Sequence, residues 1–259
     1  MRRGALRLGW FSTGRGEGSL GLLNAALDAI DSGALNASID FVFCNREKGE
    51  APGSDTFIAR VEARRIPLVA FSSKRFREAS GGRPWPELRR DYDLAAAELL
   101  SGYKADVSVT AGYMLIAPEL CKRFRMVNLH PALPDGPIGT WQKVIWDLID
   151  QRATRTGAMV NLVTQDVDAG PVLSYCSFLM RGGQFDRLWT EVRGRSAQEI
   201  KAAEGEALTL FTAIRQAGLE RERPLLVRTL IAIADGRIDP ADPPDAPLDL
   251  TGEIEAAVG

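Results

Sequence analysis

Short apolar runs in the first third of the chain alternate with stretches in which apolar residues recur every three or four positions. The runs have the length and the flanking turn residues of buried strands, and they cover residues 6–11, 39–44 and 66–71. The stretches between them predict two amphipathic helices, the first ending near Ser32 and the second around residues 55–63. This alternation predicts a doubly wound parallel sheet. Pro67 places the third strand at an edge or an end of it.

The middle of the chain continues the pattern after a polar segment. Residues 72–86 are rich in Ser, Arg and Gly, and we expect a loop there at the rim of a pocket. A helix is predicted over residues 87–100, and its apolar face comprises Leu88, Tyr92, Ala95 and Leu99. A short helix is expected around 118–123, and Thr140 is the predicted N-cap of another. Further strands are predicted over residues 106–111, 126–129, 157–164 and 172–180.

The last third of the chain is more charged, and its pattern is helical. Its glycines predict breaks at Gly194, Gly205 and Gly218, and a final helix is expected over residues 222–235, ending at Gly236. Prolines and acids dominate the end of the chain, as is typical of a loose tail. We therefore predict three parts: an α/β domain over residues 1–183, a helical extension packed on it over 184–238, and a loosely ordered tail over 239–259.

Composition narrows the class of protein. The formal net charge of −2 gives no electrostatic footprint for nucleic acid or an anionic membrane. No apolar run approaches the length of a membrane span, and no signal-peptide pattern is recognisable at the start of the sequence. The cysteines Cys44, Cys121 and Cys176 are far apart, which predicts reduced thiols in a cytoplasmic protein. With one histidine and no cysteine cluster, we expect no metal site.

Gly16, Gly18 and Gly21 follow the first strand and begin the first helix in the spacing G-x-G-x-x-G. Glycine lets the backbone approach a phosphate, and the N–H groups of a helix start favour an anion. A dinucleotide site would also want an acid at the end of the second strand, where this chain has Asn45 and Arg46. Three interpretations remain open: an anion or substrate loop, the nucleotide loop of an oxidoreductase, and a tight turn that needs glycine only for its conformation.

His130, the only histidine in the chain, follows the predicted strand 126–129 and lies two residues after Asn128. Alternate residues of a strand share a face. The amide can therefore stabilise an oxyanion beside an imidazole that exchanges protons near pH 7. Asp168 lies in a rigid D-x-G-P turn from which its carboxylate could position the imidazole or a water. These groups include no nucleophile, so they suit direct attack by a substrate amine on a bound carbonyl. The alternative is a histidine with a structural role only.

Three segments resemble formyltransferases that use 10-formyltetrahydrofolate. Residues 128–134, NLHPALP, resemble the N-x-H-P-S-L-L-P signature of that family, and residues 167–171, VDAGP, resemble its D-x-G-P element. Residues 106–116 are similar to the strand and the folate-lining loop that precede the signature. The similarity runs from about residue 6 to about residue 180, with a fainter echo at 234–237. Within the superfamily it is strongest to the phosphoribosylglycinamide formyltransferases.

The resemblance implies a Rossmann-like formyltransferase fold, with a mostly parallel central sheet, helices on both faces and a helical C-terminal extension. It implies that Asn128 holds the oxyanion of the tetrahedral intermediate, that His130 transfers protons, and that Asp168 positions the histidine and a water. The donor, 10-formyltetrahydrofolate, would lie along Tyr113, Met114, Leu115, Ile116, Ala117, Gln165, Asp166 and Val167. The amine acceptor would contact Gly14, Arg15, Gly16, Glu17, Ser19 and Pro131.

Departures from the family leave the acceptor open between glycinamide ribonucleotide and another phosphorylated or sugar amine. The loop STGRGEGS is longer than the family's S-G-N-G-S-N, and Asn161 replaces the usual histidine before D-x-G-P. The loop over residues 134–141 carries Trp141 instead of basic residues or histidine. Hydrolysis of the same donor and folate binding without catalysis remain alternatives to transfer. The expected partners are small molecules, and a homodimer is one arrangement open to the chain.

Overall fold

The computed structural model describes residues 4–115, 118–166 and 169–258. Within these ranges the strands are β1 (Leu6–Ser12), β2 (Ala37–Cys44), β3 (Leu68–Ala70), β4 (Val107–Thr110), β5 (Met126–His130), β6 (Arg155–Leu162), β7 (Val172–Leu179) and β8 (Leu248–Asp249). They form one eight-stranded sheet in the order β3-β2-β1-β4-β5-β6-β7-β8. Only the pairs β5–β6 and β6–β7 are antiparallel among these. The predicted mostly parallel sheet is confirmed, and β3, after Pro67, is an edge strand.

The helices flank this sheet in chain order. They are α1 (Glu17–Asp31), α2 (Pro52–Ala63), α3 (Ser73–Ala79), α4 (Trp85–Leu99), α5 (Leu120–Arg123), α6 (Trp141–Asp150), α7 (Gly183–Glu191), α8 (Ala197–Ala203), α9 (Thr209–Ala234) and α10 (Thr251–Val258). A 3₁₀ turn over Gly205–Ala207 precedes α9. The helices α7 to α9 form the helical C-terminal extension that the family resemblance implied, and α10 lies in the range predicted as a tail. The domain boundary at residue 183 stays a prediction.

The two faces of β1 pack against different helical layers. Leu8 and Trp10 belong to an apolar cluster with residues of α1 and α9, whereas Phe11 belongs to an aromatic cluster with Tyr92 of α4. All four side chains are fully buried. Successive side chains of a strand point to opposite faces, so the continuous apolar run of β1 is required to line both layers. The sheet is therefore covered on both faces, as the sequence predicted.

The pairing of the strands changes from parallel to antiparallel at β5. This strand runs parallel to β4 on one side and antiparallel to β6 on the other. The register places Asn128 of β5 directly between Thr110 of β4 and Asn161 of β6. Directly paired residues share a face of the sheet, so three polar side chains form a row near the carboxyl end of β5. That end of an open α/β sheet is where ligands bind in such folds.

The polar segment 72–86 is not the continuous loop that we expected. Ser72 is the N-cap of α3, because its side chain accepts a hydrogen bond from the backbone N–H of Arg75 at 3.0 Å. The helix predicted over 87–100 begins earlier, at Trp85. Its buried face also differs from the prediction, since Ala96 is buried and Leu99 is 50% exposed. α3 has no buried residue, so the sequence of this segment lacks the apolar periodicity by which a helix is predicted.

The break predicted at Gly218 is wrong, and so is the start of the final helix at residue 222. Both lie within α9, a helix of 26 residues that continues through Gly218 and Pro224. Gly218 and Pro224 each lower the stability of the helix. The burial of Leu210, Leu225 and other apolar side chains of α9 against two clusters offsets this cost. Tertiary packing here overrides the local sequence preference.

The loosely ordered tail predicted over residues 239–259 is also wrong for its described C-terminal part. β8 pairs with β7, and α10 packs through Ile254, which is fully buried. Arg221 of α9 donates two hydrogen bonds to the carboxylate of Glu255, at 2.6 and 2.9 Å. The prolines lie in the connection between α9 and β8, and the residues after this connection form the last strand of the sheet and α10.

Candidate active site

The carboxyl end of β5 carries His130 as its last residue, one position beyond the strand that the sequence predicted. The imidazole is 2% exposed, and its Nε2 lies 3.0 Å from the carbonyl oxygen of Pro137. A carbonyl only accepts hydrogen bonds, so Nε2 carries the proton in this contact. The loop between β5 and α6 therefore folds back over the histidine.

A tight turn and a capped helix hold this loop in place. The backbone N–H of Gly136 donates to the carbonyl oxygen of Leu133 at 2.8 Å. The side chain of Thr140 accepts from the backbone N–H of Lys143 at 3.4 Å, as the predicted N-cap of α6. Val144 and other apolar residues of α6 are buried against the extension, which anchors the far end of the loop.

Asn128 precedes His130 on the same face of β5, and its amide is held from the neighbouring strand. The Thr110 hydroxyl lies 3.0 Å from Oδ1 of Asn128. Asn161, on the other side, is 1% exposed. Its Nδ2 donates to the Leu162 carbonyl, and no described group pairs with its Oδ1. A buried acceptor without a partner costs free energy, so the described residues do not fully offset the burial of this amide.

The glycine loop lies beside the end of β4. Thr13 donates its backbone N–H to the carbonyl oxygen of Gly112 at 3.2 Å, and its hydroxyl accepts from the N–H of Met114 at 3.0 Å. Ser19 at the start of α1 is buried against Gly112, whereas Arg15 is exposed. The structure thus places the predicted acceptor loop next to the stretch predicted to line the donor.

The start of α1 has the form of an anion site. Gly16 is its N-cap and has no side chain with which to cap the helix, so among the described residues the first N–H groups lack the usual capping acceptor. A Cβ at Gly16 or Gly18 would meet no atom within 4 Å, which shows open space above the loop. Gly14 is buried with φ +62°, and Glu17 is exposed in the first turn. The geometry favours a small anion over this helix end.

The two stretches predicted to line the folate are neighbours. Gln165 donates from Nε2 to the carbonyl oxygen of Pro118 at 3.4 Å, across 47 residues of chain. Met114 is 53% exposed, whereas the ring of Tyr113 packs inward against Phe11. Leu115 also packs on the aromatic cluster, and Asp166 is exposed. Of the predicted donor-lining residues, Ile116, Ala117 and Val167 lie outside the described residues.

Asp168, the third predicted catalytic residue, also lies outside the described residues. Gly170, close after it, packs tightly on β6, because a Cβ there would come 1.9 Å from the carbonyl oxygen of Leu162. The described flank of the D-x-G-P element is thus pressed against the strand that carries Asn161. Pro131, expected near the acceptor, is half-buried and lines a narrow cleft between the sheet, α6 and α9.

Sequence reasoning missed an ion pair in this cleft. Arg215 and Glu222 of α9 form a contact of 2.7 Å, and the Arg215 guanidinium lies 4.6 Å from the ring centroid of Trp141. Burial raises the pKa of the Glu222 carboxyl, and Arg215 and His130 are among the charges that oppose the rise. Two charges seven residues apart on a helix look like a solvated face in sequence, so no local signal marked them.

The oxidoreductase interpretation loses support from the end of β2. Asn45 is buried and donates to the hydroxyl of Ser73 at 3.2 Å. Glu47, the first acid after the strand, accepts from the backbone N–H of Ser72 and pairs with Arg75 at 2.5 Å. The carboxylate that a dinucleotide ribose would require at this strand end is therefore engaged by protein groups.

Comparison with known proteins now decides the family. The family model described as Formyl transferase matches residues 15–178, which include Gly16, Gly18, Gly21, Asn128 and His130. This chain belongs to the formyl transferase family. The predicted family and the predicted enzyme class, a formyltransferase, are confirmed.

Two curated members of the family show how far the sequence similarity extends. The chain is 30% identical over 162 residues to the phosphoribosylglycinamide formyltransferase of Dictyostelium discoideum, covering 58% of this chain and 74% of that protein. It is 34% identical over 89 residues to the Mycobacterium tuberculosis phosphoribosylglycinamide formyltransferase, covering 33% of this chain and 40% of that protein.

Solved structures confirm the fold. Glycinamide ribonucleotide transformylase 1 from Symbiobacterium toebii matches with a TM-score of 0.62 at 21% identity, over 90% of this chain and 89% of that one. A formyltetrahydrofolate deformylase from Pseudomonas syringae matches with a TM-score of 0.60 at 20% identity, over 91% of this chain and 63% of that one. Because both a transferase and a deformylase share the fold, the fold alone does not choose between transfer and hydrolysis.

Two other kinds of feature are absent from residues 4–115, 118–166 and 169–258. Within them, no group of three or more His, Cys, Asp or Glu side chains could hold a metal ion. No helix in the same ranges is long and apolar enough to cross a membrane.

Proposed function

We propose that this chain transfers a formyl group from 10-formyltetrahydrofolate to an amine acceptor, with the reaction at the carboxyl end of β5. The observation that carries the proposal is the placement of Asn128 and His130 on one face of β5. The neighbouring strand β4 leads into Met114, whose backbone N–H donates to the hydroxyl of Thr13. Family membership over residues 15–178 supports the same reaction. Asn161 places a buried amide directly beside Asn128.

Each residue of the site has a distinct role in this proposal. The donor, when bound, supplies an electrophilic formyl carbon. Asn128 directs its amide N–H at the formyl oxygen, which becomes negative as the amine attacks. His130 moves the proton that the attacking nitrogen loses, and the contact of its Nε2 with the carbonyl oxygen of Pro137 helps to hold the ring in place. Asp168 would position the histidine and a water.

The acceptor that we propose first is glycinamide ribonucleotide, the substrate in the names of the curated relatives. Its phosphate would lie over the uncapped start of α1, against the N–H groups of the Gly16–Gly18 segment, with Arg15 free to approach from solvent. The charged side chains of Arg15 and Glu17 are also compatible with another phosphorylated or sugar amine as the acceptor. The acceptor therefore has to be determined by assay with a panel of such amines.

The experiment combines two variants with a release assay. Asn128→Ala should lower kcat by about 10²–10³-fold, the usual effect of one lost oxyanion donor. His130→Ala should lower it by about 10²–10⁴-fold through lost proton transfer. Asn36→Ala, an exposed asparagine between α1 and β2, is the matched control. Full activity of either site variant would overturn the assignment of that residue.

The assay also separates transfer from hydrolysis and from binding alone. Formylated product that forms only with an amine present supports transfer, whereas formate release without any amine identifies a hydrolase. Donor binding with no turnover of any amine or of water would favour a non-catalytic folate-binding protein. Gel filtration coupled to light scattering would report whether the chain forms a homodimer.

A further inference from the structure

Thr110 is the last residue of β4 and pairs directly with Asn128 of β5. Its side chain is 6% exposed, and its Oγ1 lies 3.0 Å from Oδ1 of Asn128 and 3.1 Å from the carbonyl oxygen of Val127. Both neighbours are acceptors in this arrangement, so the hydroxyl proton is shared between them. The contact joins a residue of the proposed reaction centre to a residue that sequence reasoning placed only within a strand.

The two ends of the Asn128 amide differ in what they can do for the reaction. Oδ1 accepts hydrogen bonds and Nδ2 donates two, and the two atoms diverge from the trigonal amide carbon toward different neighbours. With Oδ1 held at Thr110, the Nδ2–H groups point away from β4. In the flipped arrangement the oxygen would point there instead, and an amide oxygen would repel a developing oxyanion. The reaction therefore requires one of two nearly isosteric orientations.

We propose that Thr110 is a positioning residue for formyl transfer, acting through Asn128. Its hydroxyl holds Oδ1 so that Nδ2–H is already directed at the formyl oxygen before the amine attacks. This inference rests on the proposed function, because it assumes that Asn128 stabilises the oxyanion. Such preorganisation lowers the barrier because no reorientation is needed in the transition state.

Ser108 provides a comparison within the same strand. It lies two residues before Thr110, hence on the same face of β4, and is fully buried. Its hydroxyl has no hydrogen-bond partner among the described residues, and it packs against Gly9, where a Cβ would come within 2.5 Å of Oγ. Two buried hydroxyls on one face thus differ in whether they contact the amide of the reaction centre.

The test measures kcat and KM for formyl transfer from 10-formyltetrahydrofolate to glycinamide ribonucleotide, with formate release into water as the readout if no amine is accepted. Thr110→Val keeps the shape of the side chain and removes the hydroxyl. It should lower kcat about 10-fold with little change in either KM, which corresponds to the loss of one net hydrogen bond. Thr110→Ser, which restores the hydroxyl, should recover most of kcat, and Ser108→Ala should match the wild-type protein.

A double-mutant cycle supplies the readout that a purely structural role would not change. In the Asn128→Ala background, Thr110→Val should cause no further loss of residual kcat, because the amide that it positions is absent. Equal losses in both backgrounds, or full activity of Thr110→Val, would overturn the inference. Full activity of Asn128→Ala alone would instead contradict the proposed function. Thr110→Ala is measured in parallel and should show the same kcat loss if valine cannot be accommodated.

Discussion

Nε2 of His130 lies 3.0 Å from the carbonyl oxygen of Pro137, seven residues further along the chain. The contact brings the loop after β5 onto the imidazole and gives Nε2 a carbonyl oxygen as hydrogen-bond partner. The loop reaches this position through the turn at Gly136, whose backbone N–H donates to Leu133. The environment of Nε2 of His130 therefore depends on the shape of this loop.

Gly136→Ala should disturb that shape and lower activity. A Cβ at this position would lie 2.9 Å from the carbonyl oxygen of Leu133 and 3.0 Å from Cβ of Ala132, so the turn must shift. We expect kcat to fall about 10-fold or more, because small misplacements of catalytic groups are costly. Gly102→Ala, where a Cβ meets no atom within 4 Å, is the matched control and should leave kcat unchanged. Equal kcat values for the two variants would contradict the role of the turn.

Gly53→Ala should act on the acceptor rather than on the donor. Its Cβ would approach the carbonyl oxygen of Arg15 to 2.5 Å, which is backbone of the glycine loop and must move. We expect the KM for the phosphorylated amine to rise about 10-fold while the KM for 10-formyltetrahydrofolate stays the same, because the shifted N–H groups bind the anion less well. Steady-state kinetics with each substrate varied separately measures both values. Gly252→Ala, in the open on α10, serves as the control.

The first seven strands and the proposed reaction centre could be predicted from the sequence because local signals agreed with each other there. The run before His130 is apolar, Asn128 is two residues away, and the segments around them resemble a known family in the right order. A period of two along a strand then decides which side chains share a face. The structure places Asn128 and His130 on β5 as that reasoning requires.

The remaining features depend on contacts that no local pattern contains. β8 is only two residues long and exists because β7 offers a free edge to pair with. α9 passes through Gly218 and Pro224 because burial of its apolar side chains in two clusters stabilises the helix more than these two residues destabilise it. Thr110 looked like an ordinary β-branched strand residue, since its partner is 18 positions away in sequence.

Asp93 predicts a pH dependence of stability. This carboxyl is fully buried in α4 and accepts hydrogen bonds from the backbone N–H groups of Glu119 and Leu120. Burial raises its pKa to about 6, despite those two hydrogen bonds, which lower it. The folded state therefore binds the proton more tightly than the unfolded state. The stabilisation that this provides is complete below about pH 4, the ordinary aspartate range, and is lost as pH rises to about 6.

Asp93→Asn should remove this dependence, because the amide has no charge to bury and its oxygen can still accept both N–H groups. The free energy of unfolding of the wild-type protein, measured with urea, should fall relative to the variant between about pH 4 and about pH 6, and the difference should then stay constant. Asp91→Asn, on an exposed site of the same helix, controls for the loss of one negative charge. Parallel stability curves for wild type and Asp93→Asn would contradict the raised pKa.

Ile254 predicts that the end of the chain contributes to global stability. It is fully buried in α10 within the same apolar cluster as Leu8 and Trp10 of β1, and the Arg221–Glu255 contact holds α10 against α9. Ile254→Ala should therefore lower the free energy of unfolding by about 2–5 kcal/mol, the cost of removing buried methyl groups and leaving a cavity. Urea denaturation should show one shifted transition, because the residue belongs to the main core. Glu253→Ala on the exposed side of α10 should cost less than about 0.5 kcal/mol. A separate early transition confined to the C-terminal residues would instead show a tail that unfolds independently of the sheet.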